Sequence, residues 1–144
     1  MNAGYICKAK RKDNNEWVTG YYVFQRKRSG VFGQKISELD FDRHLIIDLR
    51  GNSHEVIPET VVRCTGLKDK NGKPIFEGDI VKDSDSGLFG EVIFATAADG
   101  FDGMTGFMVD DVDDGFQNYN GFWHLVKIIG NIHDNPELLQ RSDE

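Results

Sequence analysis

The chain has only two cysteines, three prolines, and no apolar run approaching the roughly 20 residues that a membrane helix requires. Cys7 and Cys64 can form at most one disulfide, which excludes a disulfide-stapled scaffold and leads us to expect reduced thiols and a cytoplasmic setting. The segment from Met1 to Arg11 turns polar and basic within a few residues, so neither a signal nor a transit peptide is expected. No ten-residue stretch places apolar side chains at i, i+3, i+4 and i+7 between caps, which excludes a long amphipathic helix.

What is present excludes wholesale disorder. Of 144 residues, 39% are hydrophobic and 11% aromatic, and charges of both signs are interspersed. This predicts one domain of about two-thirds buried surface, with two lobes at most, about 1–62 and about 63–144. The net charge of −7 conceals an asymmetry: residues 1–50 hold ten Lys/Arg against six Asp/Glu, and residues 51–144 hold seven against eighteen. Basic side chains gather at Lys8, Lys10, Arg11 and Lys12 and again at Arg26, Lys27 and Arg28. From Asp99 to Asn120 there are six Asp and no basic residue, a composition that reads as solvated loops.

Short apolar runs, none longer than eight residues, point to strands: Trp17 to Phe24, Leu45-Ile-Ile47 extended to Leu49, Ile80-Val81, Leu88 to Phe94, Gly106 to Val109 and Phe122 to Ile129. Turn signals separate them. Asn71-Gly72 predicts a type I′ reversal, Gly78 and Gly87 predict two more, and Gly90 within a strand predicts a bulge or sharp bend. Short helical turns are expected at Pro58-Glu-Thr60 and at Asn135 to Leu139, where Asn135 suits an N-cap. The expected architecture is mainly β: a small, strongly bent antiparallel barrel with extra N-terminal strands and one short C-terminal helical turn.

Chemistry-bearing patterns are sparse. His44, His54, His124 and His133 are scattered, with no paired-ligand spacing to each other or to either cysteine, so no metal is expected. The acidic loops at Asp83 and Asp111 place glycine one position too early for an EF-hand and reach Phe94 and Phe122 where a glutamate ligand belongs. No Gly-x-Ser-x-Gly elbow or phosphate-cradling glycine cluster occurs, so neither catalytic residues nor cofactors are assigned.

One resemblance extends along much of the sequence. Pro58-Glu-Thr-Val61, the run from Thr65 to Lys82, Ile129-Gly-Asn-Ile132 and Asn135-Pro-Glu-Leu-Leu139 together resemble the YopX family, with fitting spacing from about Trp17 to Leu139. The resemblance implies a phage- or prophage-encoded, mainly β protein, and it brings no reaction, ligand or catalytic residue with it. A looser similarity links Glu77-Gly-Asp-Ile-Val-Lys82 with Gly87, Gly90 and Val92 to the opening of SH3-like barrels, which favours a binding module.

The resulting expectation is a non-enzymatic accessory protein that binds a host or phage protein through acidic and aromatic loops. The candidate contacts are Phe101, Asp110, Asp111, Asp113, Asp114, Phe116 and Tyr119. The alternative is nucleic-acid binding by the basic half, with Lys8, Lys10, Arg11, Lys12, Arg26, Lys27 and Arg28 on phosphates and Trp17, Tyr21 and Tyr22 as stacking surfaces. A homo-oligomer, joining unlike halves, is compatible with either.

Overall fold

The computed structural model describes residues 6–30, 38–95, 106–112, 115–117 and 123–139. These are strands and 3-10 turns, with no α-helix among them. The chain is therefore mainly β, built from antiparallel pairs with one sheet curled as a half-barrel. It divides into two compact units, one ending at Arg63 and the other starting at Cys64.

In the first unit, β1 (Ile6–Lys10), β2 (Trp17–Lys27), β3 (Phe41–Asp48) and β4 (Ser53–Glu55) lie in the order β4-β3-β2-β1. On the outer side of β1, Cys7 and Lys8 pair with Arg63 and Val62 at the start of β5 (Val62–Lys68). Alternation along the strands sends Ala9 and Ile46 to one face, where they pack with Val56 beneath Cys7, Val18 and Val61. Gly20 sits opposite Asp48, and a Cβ there would lie 2.1 Å from the Ile47 carbonyl oxygen, so only glycine permits this close strand crossing. The 3-10 turn Pro58–Thr60 is tied back by its last residue: Thr60 Oγ1 donates to the Ile57 carbonyl at 2.6 Å and accepts from the Lys10 amide at 2.8 Å.

In the second unit the later part of β5 pairs with β6 (Pro74–Phe76) across a register shift. A five-stranded sheet follows in the order β10-β9-β8-β7-β11, comprising β7 (Asp79–Lys82), β8 (Phe89–Ala95), β9 (Gly106–Asp111), β10 (Gly115–Gln117) and β11 (Lys127–Asn131). Ile75, Val81, Leu88, Val92, Val109, Trp123 and Val126 form its core. The ladder passes through Gly90 without the register shift of a bulge; what the glycine permits is a close strand approach like that at Gly20. Gly90 faces Asp111, and a Cβ there would lie 2.1 Å from the Asp110 carbonyl oxygen.

Three local expectations change. The 69–73 reversal is not type I′, because Gly72 has φ of +79° while Asn71 stays at negative φ. The Gly72 amide bonds the Asp69 carbonyl at 3.0 Å, which makes Asp69–Gly72 an ordinary turn followed by one left-handed glycine. The cause is Asp69, whose buried carboxylate accepts from the Asn71 and Lys73 amides at 2.9 Å each and thereby sets the turn. Asn135 does not cap with its side chain; its Oδ1 accepts from the Asn131 amide at 3.3 Å. The strand expected from Phe122 begins only at Lys127, after a 3-10 turn at Trp123–Leu125 that puts the indole in the core.

Carboxylates recur at the reversals. Asp48 Oδ1 accepts from the amides of Arg50 and Asn52 at 2.9 Å each, and His54 Nε2 lies 2.8 Å from its Oδ2. These contacts, the His54 hydrogen bond first, lower the Asp48 pKa to about 2. A carboxyl depressed in the folded state stabilises above its ordinary pKa and loses that contribution as pH falls through the folded value. The stability advantage of the native chain over Asp48→Asn should accordingly be constant near pH 5 and shrink from about pH 4 toward pH 2, as read by urea unfolding. Gly20→Ala and Gly90→Ala should each lower unfolding free energy by about 1–3 kcal/mol or more, whereas Gly51→Ala, facing open space, should cost only its backbone strain of about 1 kcal/mol.

Candidate functional site

Tertiary packing ends partway along β2. β1 covers it from Trp17 to Tyr21, and beyond this the strand pairs with β3 up to Lys27↔Phe41. All seven residues from Tyr21 to Lys27 are exposed, although Ile46 opposite Tyr22 is buried and β4 still flanks β3 from Leu45 to Ile47; residues 24–27 with 41–44 form a two-stranded ribbon. Tyr21, Tyr22, Val23 and Phe24 are 38%, 38%, 39% and 45% accessible, a concentration of apolar surface that globular domains ordinarily cover.

Cross-strand register assigns the faces. One carries Tyr22, Phe24 and Arg26 of β2 opposite Ile46, His44 and Asp42 of β3. The His44 ring stacks on Tyr22 with 13° between planes and tilts against Phe24 at 4.9 Å. The Tyr22 hydroxyl meets His44 Nδ1, Arg26 lies 5.3 Å from the Phe24 ring, and Asp42 receives both Arg26 and Arg28. The other face carries Tyr21, Val23, Gln25 and Lys27 opposite Ile47, Leu45, Arg43 and Phe41. There Arg43 lies over the Phe41 ring at 4.3 Å. At the far end the buried Asp40 carboxylate accepts from the Ser29 amide and hydroxyl at 2.9 and 2.8 Å.

Most of the basic candidates are engaged by neighbours. Arg11 makes a two-pronged contact with Asp13 at 3.0 and 2.6 Å, Lys12 reaches Glu55 at 3.3 Å, and Arg26 and Arg28 share Asp42. Lys8 and Lys10 lie over Trp17 at 4.8 and 5.6 Å from its ring centre, so that ring is half-covered rather than open for stacking. Arg11, Lys12, Asp13, Ser53, His54 and Glu55 line a polar depression of about 290 Å3. Its ionic groups are already matched, Arg11 to Asp13, Lys12 to Glu55 and His54 to Asp48. No cluster of three or more His, Cys, Asp or Glu side chains arranged for a metal occurs among the described residues. No helix among them is long and apolar enough to cross a membrane.

The acidic candidates separate. Phe101, Asp113, Asp114 and Tyr119 lie outside the described residues, and for Phe116 only the backbone is described, paired with Asp110. Asp110 and Asp111 are not in a solvated loop but at the end of β9. Asp111 is 7% accessible, sits between Gly90 and Gly115, and accepts from the Phe89 amide at 3.0 Å. Missing side chains on both neighbours give it room to turn inward. Asp110 points to the other face, directly across from Glu91.

The residues that sequence reasoning left out are Val23, Phe24, Phe41, Arg43 and His44. Their signal was available: from Tyr21 to Phe24 apolar character does not alternate, and the polar run that follows does not alternate either. A strand with one buried face would alternate.

Burial, then the charges of Asp110 and Glu77, raise the pKa of Glu91. Here the folded state holds its proton to higher pH than the unfolded chain, so stability falls as pH rises from the ordinary toward the raised value. Glu91→Gln should raise the melting temperature at pH 7 by about 1–3 °C and leave it little changed at pH 4, as calorimetry at the two pH values would show.

No curated protein matches the chain. The family model described as YopX protein matches residues 8–140, from within β1 to the end of the C-terminal 3-10 turn at Pro136–Leu139. The segments that carried the resemblance are those that build the scaffold: Thr60 locking β1, Asp69 setting its turn, and Asn131 with Asn135 closing the chain after β11. With nearly its whole length matched, the chain belongs to the YopX family.

Proposed function

We propose that the chain is a non-enzymatic accessory protein that binds another protein, and that the β2–β3 ribbon makes the contact. The observation that carries this reading is the run from Tyr21 to Phe24, four consecutive large apolar side chains at 38–45% accessibility on successive positions of β2. Aromatic side chains beside arginines are the composition of interface centres rather than of rims. The ribbon is preferred to the acidic β9–β10 hairpin because Asp111 is turned inward and bound to Phe89. The family resemblance suggests a phage setting and therefore a host or phage protein as partner.

Binding to nucleic acid by the same unit is the second reading, favoured by Lys8 and Lys10 gathered over Trp17. Against it, Arg11, Lys12, Arg26 and Arg28 already face carboxylates. Salt separates the two readings: phosphate contacts lose affinity steeply between about 50 and 200 mM, an apolar ribbon contact does not.

A photoreactive residue at Val23, introduced during phage growth in the host, should give a discrete protein crosslink, and one at exposed Glu137 should not. Tyr21→Ser with Val23→Ser should weaken that contact at least about tenfold while the melting temperature moves by no more than about 2 °C. Equal crosslinking from both positions, or none from Val23, counts against the ribbon.

A further inference from the structure

Hydrogen-bond partners fix which way each residue of β2 turns its backbone. In an antiparallel ladder a residue aims its N–H and C=O to one side, and successive residues alternate. The Lys10 amide donates to Thr60 Oγ1 and its carbonyl accepts from the Ile57 amide, so Lys10 faces away from β2. Trp17, its partner across the ladder, then faces away from β1, and the odd-numbered residues of β2 follow it toward β3. From the other side, the Val56 amide donates to the His44 carbonyl at 2.8 Å, so His44 and its partner Phe24 face apart. The two counts agree, with no register shift between them. Val23, Gln25 and Lys27 bond β3, while Tyr22, Phe24 and Arg26 aim N–H and C=O to the opposite side.

That side is the lane of β1, and β1 as described begins at Ile6, opposite Tyr21. From Tyr22 onward no described strand lies beside β2 there. An open edge is a template for another strand, and chains that avoid such pairing bulge it or place proline on it. Tyr22 to Lys27 has neither a proline nor a register shift, and its first half is rich in strand-forming residues. What it carries is positive charge. Within 24–28 and 41–44, Arg26, Lys27, Arg28 and Arg43 stand against one carboxylate, Asp42, which Arg26 and Arg28 share. Asp40, next along, is buried on Ser29. A second copy of this edge would bring like charge to it, whereas a strand bearing carboxylates is attracted.

We propose that the partner adds a strand to the β2 edge: an extended, acidic segment with apolar side chains beside Val23 and Phe24 and carboxylates beside Arg26 and Lys27. It runs antiparallel to β2, as every described pair in this sheet does. Main-chain hydrogen bonds to Phe24 and Arg26 hold it, and side chains select its sequence. This rests on the ribbon being the protein-binding surface and specifies how that surface is engaged.

The probe is the capped hexapeptide Glu-Glu-Thr-Val-Val-Thr, which in that register sets its glutamates opposite Lys27 and Arg26 and its valines opposite Phe24 and Val23. On binding the full chain it should slow amide hydrogen exchange at Phe24 and Arg26 at least about tenfold and leave Val23 and Gln25, already bonded to β3, unchanged. N-methylation of its second glutamate and first valine, whose amides face β2, should weaken binding at least about tenfold. N-methylation of the first threonine and second valine, whose amides face outward, should not. Lysine in place of both glutamates should weaken binding to a similar degree. Arg26→Pro removes an outward amide without touching the β3 ladder and should lose more affinity than Arg26→Ala. No binding at about 1 mM peptide overturns the proposal, as does equal tolerance of both methylation patterns or equal binding of the lysine peptide. So does slow exchange at Phe24 and Arg26 in the free chain, because the edge is then filled by residues 1–5 or by a second copy. If the peptide fails while Val23 still crosslinks a protein during phage growth, strand addition fails and the ribbon reading stands.

Discussion

A side-chain oxygen accepting from the backbone amide two residues ahead organises this chain. It occurs at Asn14 with Glu16, Asp48 with Arg50, Asp69 with Asn71, Asp83 with Asp85 and Asn131 with His133. Each is a reversal or a strand end where the ladder leaves amides without partners, and an aspartate or asparagine supplies the acceptor locally. A small β protein whose described residues hold no α-helix has many such ends for its length. Asp69 extends the principle beyond its own turn, because its second oxygen accepts from the Ile128 amide at 3.1 Å and thus closes the outer side of β11. An edge strand presents a row of unpaired donors and acceptors, and part of this one is covered.

This changes the meaning of the negative charge. Asp69, Asp79 and Asp83 are each 3% accessible and Asp111 is 7%, yet all four carboxylates are hydrogen-bonded, with Asp79 Oδ2 accepting from the Phe76 amide at 2.8 Å. Burial raises the cost of ionising Asp69 and Asp83, but amide hydrogen bonds outweigh it, and both remain more acidic than an ordinary aspartate. Much of the acidic excess is thus architecture. The same holds for the family resemblance, whose quoted segments contain Thr60, Asp69, Asp79, Asn131 and Asn135, every one of them fixing backbone. Gly130 belongs with them: a Cβ there would lie 2.6 Å from Asn135 Oδ1, so the glycine makes room for the asparagine that closes the chain.

The strand content and the turns at Gly78 and Gly87 were legible in the sequence, because apolar runs between glycines specify them locally. Less legible was anything decided across strands. Whether Asp111 faces solvent depends on two glycines, Gly90 and Gly115, one of them 21 residues away in sequence and opposite it only through register. Asn71-Gly72 has the composition of a type I′ turn, and the carboxylate of Asp69 selects another. The basic clusters were visible as charge, but their partners Asp13, Glu55 and Asp42 are brought to them by hairpin geometry, which composition does not reveal.

The ribbon is where these two kinds of information conflict. Read as sequence, Trp17 to Phe24 is a core strand; in the fold β1 covers it from Trp17 to Tyr21 and β3 from Gly20 onward, and its core contact is at Val18 and Gly20. Its two-stranded end, residues 24–27 with 41–44, is marginal in water on its own and draws support from the Tyr22, His44 and Phe24 stack and from Asp42 bridging two arginines on one face. Those contacts account for the first face fully. On the second face Phe41, Leu45 and Ile47 are half-buried, while Tyr21, Val23, Lys27 and Arg43 are exposed, and exposed apolar area there invites aggregation. The exposed apolar area at Tyr21 and Val23 is the part of this face that packing among the described residues does not account for.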